Sequence, residues 1–225
     1  MRHLHHLPSV VLISLAMLIL TSCHITFNSQ NDTVMDGIRL KYDNAMSLSG
    51  KYDLPSLEIL GGTLSVSLKG RADSDMSLAI KYKEYEPGDA TVYFSDGKIQ
   101  TKSKSGKPVS IYNITGDIPE HLGLNIKTGT GDIELTGLKG LQKITIKSGT
   151  GDLDVTGSNF GTLSVKTGTG SITVRDSKIE AASIKLGTGD IILDNSFVNQ
   201  QEFSTGTGKI IQKEANPVHK DKGSI

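Results

Sequence analysis

The sequence has 225 residues, with 24 basic and 24 acidic side chains, 25 glycines and no tryptophan. This length allows one domain of ordinary size, and a formal net charge of zero provides no general attraction for nucleic acid. No basic tract with interleaved aromatic residues occurs either, so the sequence offers no nucleic-acid-binding motif.

The first 22 residues have the plan of a secretory signal peptide. Arg2 gives a basic end, a mostly apolar run follows from Leu7 to Leu20, and the small residues Thr21 and Ser22 precede Cys23. The apolar run is too short and too near the terminus to favour a stable membrane span. Residues 1–22 are therefore predicted to be a cleaved export signal.

The last four residues of this segment, LTSC, resemble the lipobox of bacterial lipoproteins, in which the cysteine is acylated and becomes the first residue of the mature chain. The resemblance implies cleavage between Ser22 and Cys23 and lipid attachment at Cys23. Each buried methylene contributes about 0.8 kcal/mol, so several acyl chains would make the membrane a firm partner. Because Cys23 is the only cysteine, no internal disulfide can form. The alternatives are an uncleaved anchor helix and ordinary cleavage that leaves a free cysteine.

Residues 23–45 are predicted to be a lipidated N-terminus and tether, because HITFNSQNDTVMDG is polar and lacks sustained periodicity. In the lipoproteins that this lipobox resembles, Asp directly after the cysteine favours retention in the inner membrane of a Gram-negative cell. His24 stands there instead. The expected location is the cell envelope, with the outer membrane favoured if the source is Gram-negative.

Residues 46–213 are predicted to form one all-β domain. Three runs, Ser56–Leu68, Met76–Tyr82 and Ala90–Phe94, alternate between apolar and polar residues with the period of two that half-buried strands require. No stretch beyond residue 23 sustains a helical stripe over twelve residues. Residues 214–225 bring proline and charge and are predicted to be a tail.

A repeat with a period near 19 residues begins at Leu124. Its mark is the triplet GTG, which starts at Gly129, Gly149, Gly168, Gly187 and Gly206, in steps of 20, 19, 19 and 19. A fixed period of this length is typical of stacked coils. Regular coils are predicted over residues 124–212, preceded by degenerate early coils or longer strands.

Apolar residues recur at matching positions of these coils and predict the inward side chains. Before the GTG triplets they are Leu124 and Ile126, Ile144 and Ile146, Leu163 and Val165, and Ala182 and Ile184. After the triplets they are Ile133 and Leu135, Leu153 and Val155, Ile172 and Val174, and Ile191 and Leu193. A third column is predicted from Leu141, Phe160, Ile179 and Val198. Stacking at about 4.8 Å would bury each column, so the sequence predicts a parallel β-solenoid. The fifth coil, with Gln201 and Gln212 at inward positions, should end it.

The repeated units behind a lipobox, preceded by NITGDIPEHLGLNIKTGTGDIEL (Asn113 to Leu135), resemble a bacterial family of candidate adhesins with β-strand repeats, catalogued as a domain of unknown function. In that family a segment containing proline, here Ile118 and Pro119, leads into the first coil. The segment Leu57–Val66 is similar to a degenerate early coil. The resemblance spans Met46 to Gln212 and implies the fold, whereas the family brings no catalytic motif.

The GTGD motif could have one of several meanings. A calcium roll needs several carboxylates around each ion, yet the column after the second glycine is Asp132, Asp152, Ser171, Asp190 and Lys209. Three other interpretations each require a feature beyond the motif itself. A phosphate-binding loop requires a following helix, and an ice-binding face requires a flat threonine array. A glycosidase requires paired carboxylates in a groove. The preferred interpretation is a structural corner, with no metal and no cofactor, at which glycine permits close backbone approach. The predicted corner glycines are Gly129, Gly131, Gly149, Gly151, Gly168, Gly170, Gly187, Gly189, Gly206 and Gly208.

The sequence thus predicts a lipid-anchored bacterial envelope protein that presents a non-catalytic β-solenoid for adhesin-like binding or scaffolding. Its partners would be the membrane, through the N-terminal lipid, and an envelope protein or polymer that the sequence does not identify. One alternative is an envelope-stress accessory or regulator that acts through a protein partner. Another is a surface module stabilised by calcium.

Overall fold

The structure, a computed structural model, describes residues 27–213. The predicted signal peptide, Cys23 with its cleavage site, and the predicted tail 214–225 lie outside the described residues.

The described chain consists of β-strands joined by turns and short irregular segments, in agreement with the all-β prediction. The strands are β1 (Phe27–Met35), β2 (Ile38–Lys51), β3 (Ser56–Thr63), β4 (Ser65–Arg71), β5 (Asp75–Glu84), β6 (Ala90–Ser95), β7 (Lys98–Ser103), β8 (Ser110–Pro119), β9 (Gly123–Thr130), β10 (Ile133–Thr136), β11 (Lys143–Thr150), β12 (Leu153–Thr156), β13 (Asn159–Thr169), β14 (Ile172–Arg175), β15 (Lys178–Thr188), β16 (Ile191–Asp194), β17 (Phe197–Thr207) and β18 (Ile210–Lys213).

These strands form two facing sheets. Sheet A has ten strands in the order β1-β2-β5-β8-β4-β10-β12-β14-β16-β18, and sheet B has eight in the order β17-β15-β13-β11-β9-β3-β7-β6. From β9 onward the chain alternates between the two sheets, and each strand pairs in parallel with its equivalent in the next coil. The predicted parallel β-solenoid is confirmed, with about five turns.

The core is the set of side chains that point between the sheets. Both predicted columns that flank the GTG triplets are buried in the first four coils, with exposures of 4% or less. Parallel pairing sets Ile126 beside Ile146 and Ile146 beside Val165, so each inward residue packs on its equivalent in the neighbouring coil. Each buried aliphatic side chain stabilises the stack by roughly 1.5 to 3 kcal/mol.

The predicted degenerate early coil is β3 together with β4. Leu57 and Ile59 of β3 are in register with Leu124 and Ile126 of β9, and β4 pairs in parallel with β10. This coil therefore continues the inward columns toward the N-terminal end. Its two strands are linked directly through Leu64, which is fully buried.

One residue of the predicted third column is wrongly assigned. Phe160, Ile179 and Val198 are buried, whereas Leu141 is 95% exposed. Lys139 is bridged to Asn159, and Lys143 pairs with Thr162. The segment from Lys139 to Lys143 therefore contains one more residue than the matching segment of the next coil, from Asn159 to Thr162. The extra residue turns the Leu141 side chain outward.

The predicted tether is wrong from Phe27 onward. Strands β1 and β2 form an antiparallel hairpin, and β2 pairs with β5 from Tyr42 to Lys51, so residues 27–45 belong to sheet A. The turn is Asp36-Gly37, whose φ values of 51° and 75° suit a two-residue hairpin turn. The folded domain therefore includes residues 27–45 and does not begin at residue 46.

A buried carboxylate fixes this hairpin to the rest of the domain. Glu84 is fully buried and accepts hydrogen bonds from the Asn44 side chain at 2.9 Å and from the backbone amides of Gly88 at 2.9 Å and Ala90 at 2.8 Å. These donors satisfy the charge that burial would otherwise leave uncompensated. The contact joins β2 to the turn after β5.

The last coil closes the end of the described solenoid with amides. Gln201 is in register with Ala182, and Gln212 with Leu193, so both occupy inward positions as predicted. The Gln212 side-chain amide donates a hydrogen bond to the Gln201 carbonyl oxygen at 2.8 Å, across the interior between the two sheets. The end face therefore carries a polar pair where the other coils carry aliphatic side chains.

Candidate binding face

The GTG corners join each sheet B strand to the following short strand of sheet A. The second glycine of each triplet has a positive φ, between 131° and 141°. A Cβ on Gly151 would lie 2.2 Å from the carbonyl oxygen of Gly131, and one on Gly170 would lie 2.1 Å from that of Gly151. Both conformation and space thus require glycine there.

The first glycine of each triplet is required by space alone. A Cβ at these positions would approach a backbone oxygen of the preceding coil to between 2.4 and 2.7 Å. The predicted corner residues therefore lie where the backbones of successive coils approach each other closely. They are Gly129, Gly131, Gly149, Gly151, Gly168, Gly170, Gly187, Gly189, Gly206 and Gly208.

The aspartates after the GTG triplets link successive coils. Asp132 Oδ1 accepts a hydrogen bond from the amide of Asp152 at 2.9 Å, and Asp152 Oδ1 accepts one from the amide of Ser171 at 2.7 Å. Asp190 does the same for Lys209 at 2.8 Å. Each carboxylate thus satisfies an amide of the following coil. Among the described residues, no group of three or more His, Cys, Asp or Glu side chains is placed to hold a metal ion.

A second repeated corner, which the sequence analysis missed, lies between each short sheet A strand and the next sheet B strand. It combines a residue with φ between 48° and 66° and, in three coils, a serine that follows it. Ser158 Oγ accepts a hydrogen bond from the amide of Leu138, Ser177 Oγ from that of Ser158, and Ser196 Oγ from that of Ser177, each at 3.1 Å. The residues with positive φ are Gly137, Gly157, Asp176 and Asn195.

The two threonines of a TGT triplet point in different directions. Thr128 and Thr167, the first of their pairs, are 7% exposed, and Thr128 Oγ1 contacts backbone oxygens inside the corner. Thr130 and Thr169, the second of their pairs, are exposed. The triplets therefore present one threonine per coil and not a flat double array.

Lysines form a ladder on the outer face of sheet B, and this ladder is the candidate site. Parallel pairing places Lys127 beside Lys147, Lys147 beside Lys166, and Lys166 beside Lys185. All four side chains are exposed. Neighbouring strands are about 4.8 Å apart, so the ladder extends roughly 14 Å along the solenoid axis. We call these four residues the lysine ladder.

The two ends of the lysine ladder carry acidic partners. Lys127 Nζ lies 3.8 Å from Glu58 Oε1, and Lys185 Nζ lies 3.3 Å from Glu202 Oε1. The Ser183 hydroxyl and the Lys185 ammonium hold the pKa of Glu202 below its usual range. Lys147 and Lys166, in the middle, have no carboxylate within 4.0 Å among the residues that the structure describes.

The surroundings of the lysine ladder are polar but uncharged along its middle. The adjacent outward column consists of Asn125, Thr145, Ser164 and Ser183, which are in register with one another. On the other side lies an open groove of about 560 Å³, lined by Lys127, Lys147 and Lys166 together with Gly61, Ser148 and the glycines and threonines of the GTG corners.

Carboxylates are concentrated on the opposite side of the first two regular coils. Glu134 and Asp154 are adjacent on the outer face of sheet A, and Asp132 and Asp152 occupy the corner beside it. In these two coils the outer face of sheet A is therefore acidic, whereas Lys127 and Lys147 make the outer face of sheet B basic. Such a charge separation sets up a local field that net charge does not reveal.

The solved structures that match the chain include three bacterial proteins. A candidate cell adhesion protein from Clostridium sporogenes is 12% identical, with 75% of this chain and 100% of that chain covered and a TM-score of 0.36. A candidate adhesin from Parabacteroides merdae is 12% identical, with 76% and 96% covered and a TM-score of 0.25. A candidate lipid binding protein from Parabacteroides distasonis is 9% identical, with 76% and 97% covered and a TM-score of 0.27. No curated protein matches the sequence.

A family match covers nearly the whole chain and extends beyond the segment from Met46 to Gln212 that carries the resemblance noted in the sequence. Residues 21–216 match the Toastrack family, DUF4097, and this match includes the β1–β2 hairpin as well as the five coils. The predicted resemblance to a β-repeat domain of unknown function is confirmed. The chain belongs to the Toastrack DUF4097 family.

Proposed function

We propose that this chain is a lipid-anchored protein of the bacterial cell envelope whose β-solenoid serves as a non-catalytic binding or scaffolding surface. Cys23 would carry the lipid and hold the domain at a membrane. The LTSC sequence behind an apolar export signal supports the anchor. In the part of the chain that the structure describes, no helix is long and apolar enough to cross a bilayer.

The observation that carries the binding role is the outward face of sheet B. Four successive coils repeat a lysine in register, so the face offers equivalent cationic contacts at the spacing of neighbouring strands. Repeated contacts of this kind suit an extended partner that engages several coils at once. The outward face of sheet B would then carry the binding function, while the GTG corners hold the coils together.

Two measurements test this proposal. In the first, cells are labelled with radioactive palmitate, and we expect label on the wild-type chain but not on Cys23→Ala, which should also leave the membrane fraction. Unchanged labelling of Cys23→Ala would contradict the anchor.

In the second measurement, the full-length Cys23→Ala protein, purified in neutral detergent, is sedimented with isolated cell envelopes, so that a lipid cannot account for binding. We expect cosedimentation, and the matched control is Cys23→Ala/Ile146→Asp, which should disrupt the inward column. Equal sedimentation of the two proteins, or none, would contradict a binding role of the folded solenoid.

A further inference from the structure

The lysine ladder places four like charges on neighbouring strands. Like charges directly opposite each other on neighbouring strands repel, and here Lys147 faces a lysine on both sides. The inward columns and the corner contacts do not require a cation at this outward position, because Leu60 occupies it in the preceding coil and Ser204 in the last coil. The four lysines therefore call for an explanation outside folding.

The cations that remain available are in the middle of the ladder. Glu58 and Glu202 partly neutralise the two end lysines, whereas Lys147 and Lys166 have no carboxylate partner among residues 27–213. An exposed ammonium–carboxylate pair contributes only about 0.2 to 1 kcal/mol. A single anionic group would thus bind weakly, while a polymer that carries anionic groups at intervals can engage several lysines together.

The neighbouring columns indicate what kind of polymer fits. Thr145 and Ser164 present hydroxyl groups beside the ladder, and the groove on its other side is lined in part by Gly149 and Gly168, which have no side chains. Hydroxyl groups can donate and accept hydrogen bonds with the hydroxyl groups of a sugar. The glycines leave room for a ring to approach the backbone.

We infer that the lysine ladder binds a linear acidic polysaccharide that lies along the solenoid axis, with its carboxylates on Lys147 and Lys166 and its sugar hydroxyls on the adjacent hydroxyl column. This inference rests on the proposed binding role and names its ligand class. One coil spacing, about 4.8 Å, is of the same order as the length of one pyranose residue, so a few sugar units span the ladder.

Two other polyanions fit the surface less well. Single-stranded nucleic acid is normally held by aromatic side chains that stack on the bases, and the outward positions of β9, β11, β13 and β15 contain none among the described residues. An anionic membrane is a plane and is matched by cations spread in two dimensions. The lysine ladder is a single file between uncharged columns.

The test uses the full-length protein, purified in neutral detergent, and immobilised polygalacturonate as the probe, with neutral dextran as the reference polymer. We expect binding to polygalacturonate alone, weakened by added salt because exposed charge contacts are screened. The double variant Lys147→Gln/Lys166→Gln should bind about tenfold more weakly, which corresponds to about 1.4 kcal/mol for two lost contacts.

The matched control is Lys143→Gln/Lys178→Gln, which removes the same charge from the same sheet but outside the ladder. It should change the affinity by less than about twofold. Equal loss in the two double variants, equal binding to dextran, or displacement of the protein by micelles containing phosphatidylglycerol but not by free polygalacturonate would overturn the inference. If polygalacturonate fails while palmitate labelling and sedimentation with envelopes persist, only the ligand class is wrong and the proposed function stands.

Discussion

The hydroxyl oxygen of Ser177 accepts a hydrogen bond from the backbone amide of Ser158, nineteen residues earlier, at 3.1 Å. The same hydroxyl donates to the carbonyl oxygen of Arg175 at 2.7 Å. Ser177 thereby connects two coils at a corner where both serines are buried. A buried amide without an acceptor costs about 1 to 3 kcal/mol, which makes this contact a measurable part of the stability.

Replacing Ser177 with Ala should therefore lower the free energy of unfolding by about 1 to 3 kcal/mol, because the amide of Ser158 loses its acceptor. The measurement is urea denaturation of the full-length protein. The control is Ser164→Ala, which removes a hydroxyl from the outer face of sheet B and should change stability by less than about 0.5 kcal/mol. Equal effects would refute the role of the serine corner.

Replacing Asp152 with Ala should remove the acceptor of the Ser171 amide and lower stability by roughly 0.5 to 1.5 kcal/mol. Faster hydrogen exchange at the Ser171 amide would localise the effect. Asp154→Ala is the matched control, since Asp154 is two residues away and its side chain points outward from sheet A. If Asp152→Ala leaves that exchange rate unchanged, the carboxylate does not link the coils.

Replacing Gly170 with Ala should destabilise the protein by about 3 kcal/mol or more. Alanine is strained at a φ of 135°, and its Cβ would lie 2.1 Å from the Gly151 carbonyl oxygen. Gly62→Ala serves as the control, because nothing lies within 4 Å of a Cβ there. Thermal unfolding compares the two, and equal melting temperatures would contradict the steric account of the corner.

Replacing Ile146 with Asp should unfold the solenoid or cost more than about 4 kcal/mol, because a charge would enter a column that is 1% exposed. Lys147→Asp, one residue along the same strand, should cost little and relieves repulsion within the lysine ladder. Circular dichroism and urea denaturation distinguish the outcomes. Equal tolerance would mean that the inward and outward assignments are wrong.

The stability should also depend on pH through Asp89. The Ser105 hydroxyl donates to Asp89 Oδ2 at 2.6 Å and the Ser105 amide to Oδ1 at 2.8 Å, and these bonds hold the pKa of Asp89 below its usual range. A depressed pKa contributes stability that is fully present above about pH 4 and is lost as the pH falls through the folded pKa.

The Asp89→Asn variant should therefore lose less stability than wild type when the pH falls from about 5 to about 3. Urea denaturation at each pH gives the two slopes. Ser105→Ala, which removes the hydroxyl donor to Asp89 Oδ2, should reduce the slope in the same direction. Parallel curves for Asp89→Asn and wild type would show that this carboxylate does not stabilise the fold.

The sequence predicted the solenoid because burial in a parallel stack acts on every coil alike. A residue such as Ile146 must be apolar in each repeat, so the requirement appears as a period. Leu141 was misassigned because the single inserted residue of its coil breaks that period locally. A column inferred from steps of 19 does not detect a local change in the number of residues between two corners.

The sequence contains a turn signal for the β1–β2 hairpin, but the polar composition of the segment obscured it. Asp36-Gly37 is a strong hairpin sequence, and Asp96-Gly97, with φ values of 51° and 76°, makes the same turn between β6 and β7. Strand β2 buries only alternate side chains, so its composition is close to that of a tether. Turn chemistry would have identified it where mean polarity did not.

The candidate site was only partly visible in the sequence. Lysines were expected to face outward, but the lysine ladder appears only when register is known, since the step from Lys127 to Lys147 differs from the later ones. The serine corner had a usable signal, because Ser158, Ser177 and Ser196 recur at intervals of 19 and each follows a residue that tolerates positive φ.

The hydrogen bond between Gln201 and Gln212 gives this solenoid a defined length. Aliphatic residues at those two inward positions would leave the last coil equivalent to the others and ready to receive a further coil or the end of another molecule. The amide pair marks it as terminal. One additional 19-residue unit inserted ahead of that coil should therefore lengthen the rod by a single strand spacing, about 4.8 Å, and leave its tip unchanged. The length of the solenoid is then a property that can be adjusted in discrete steps by repeat number alone.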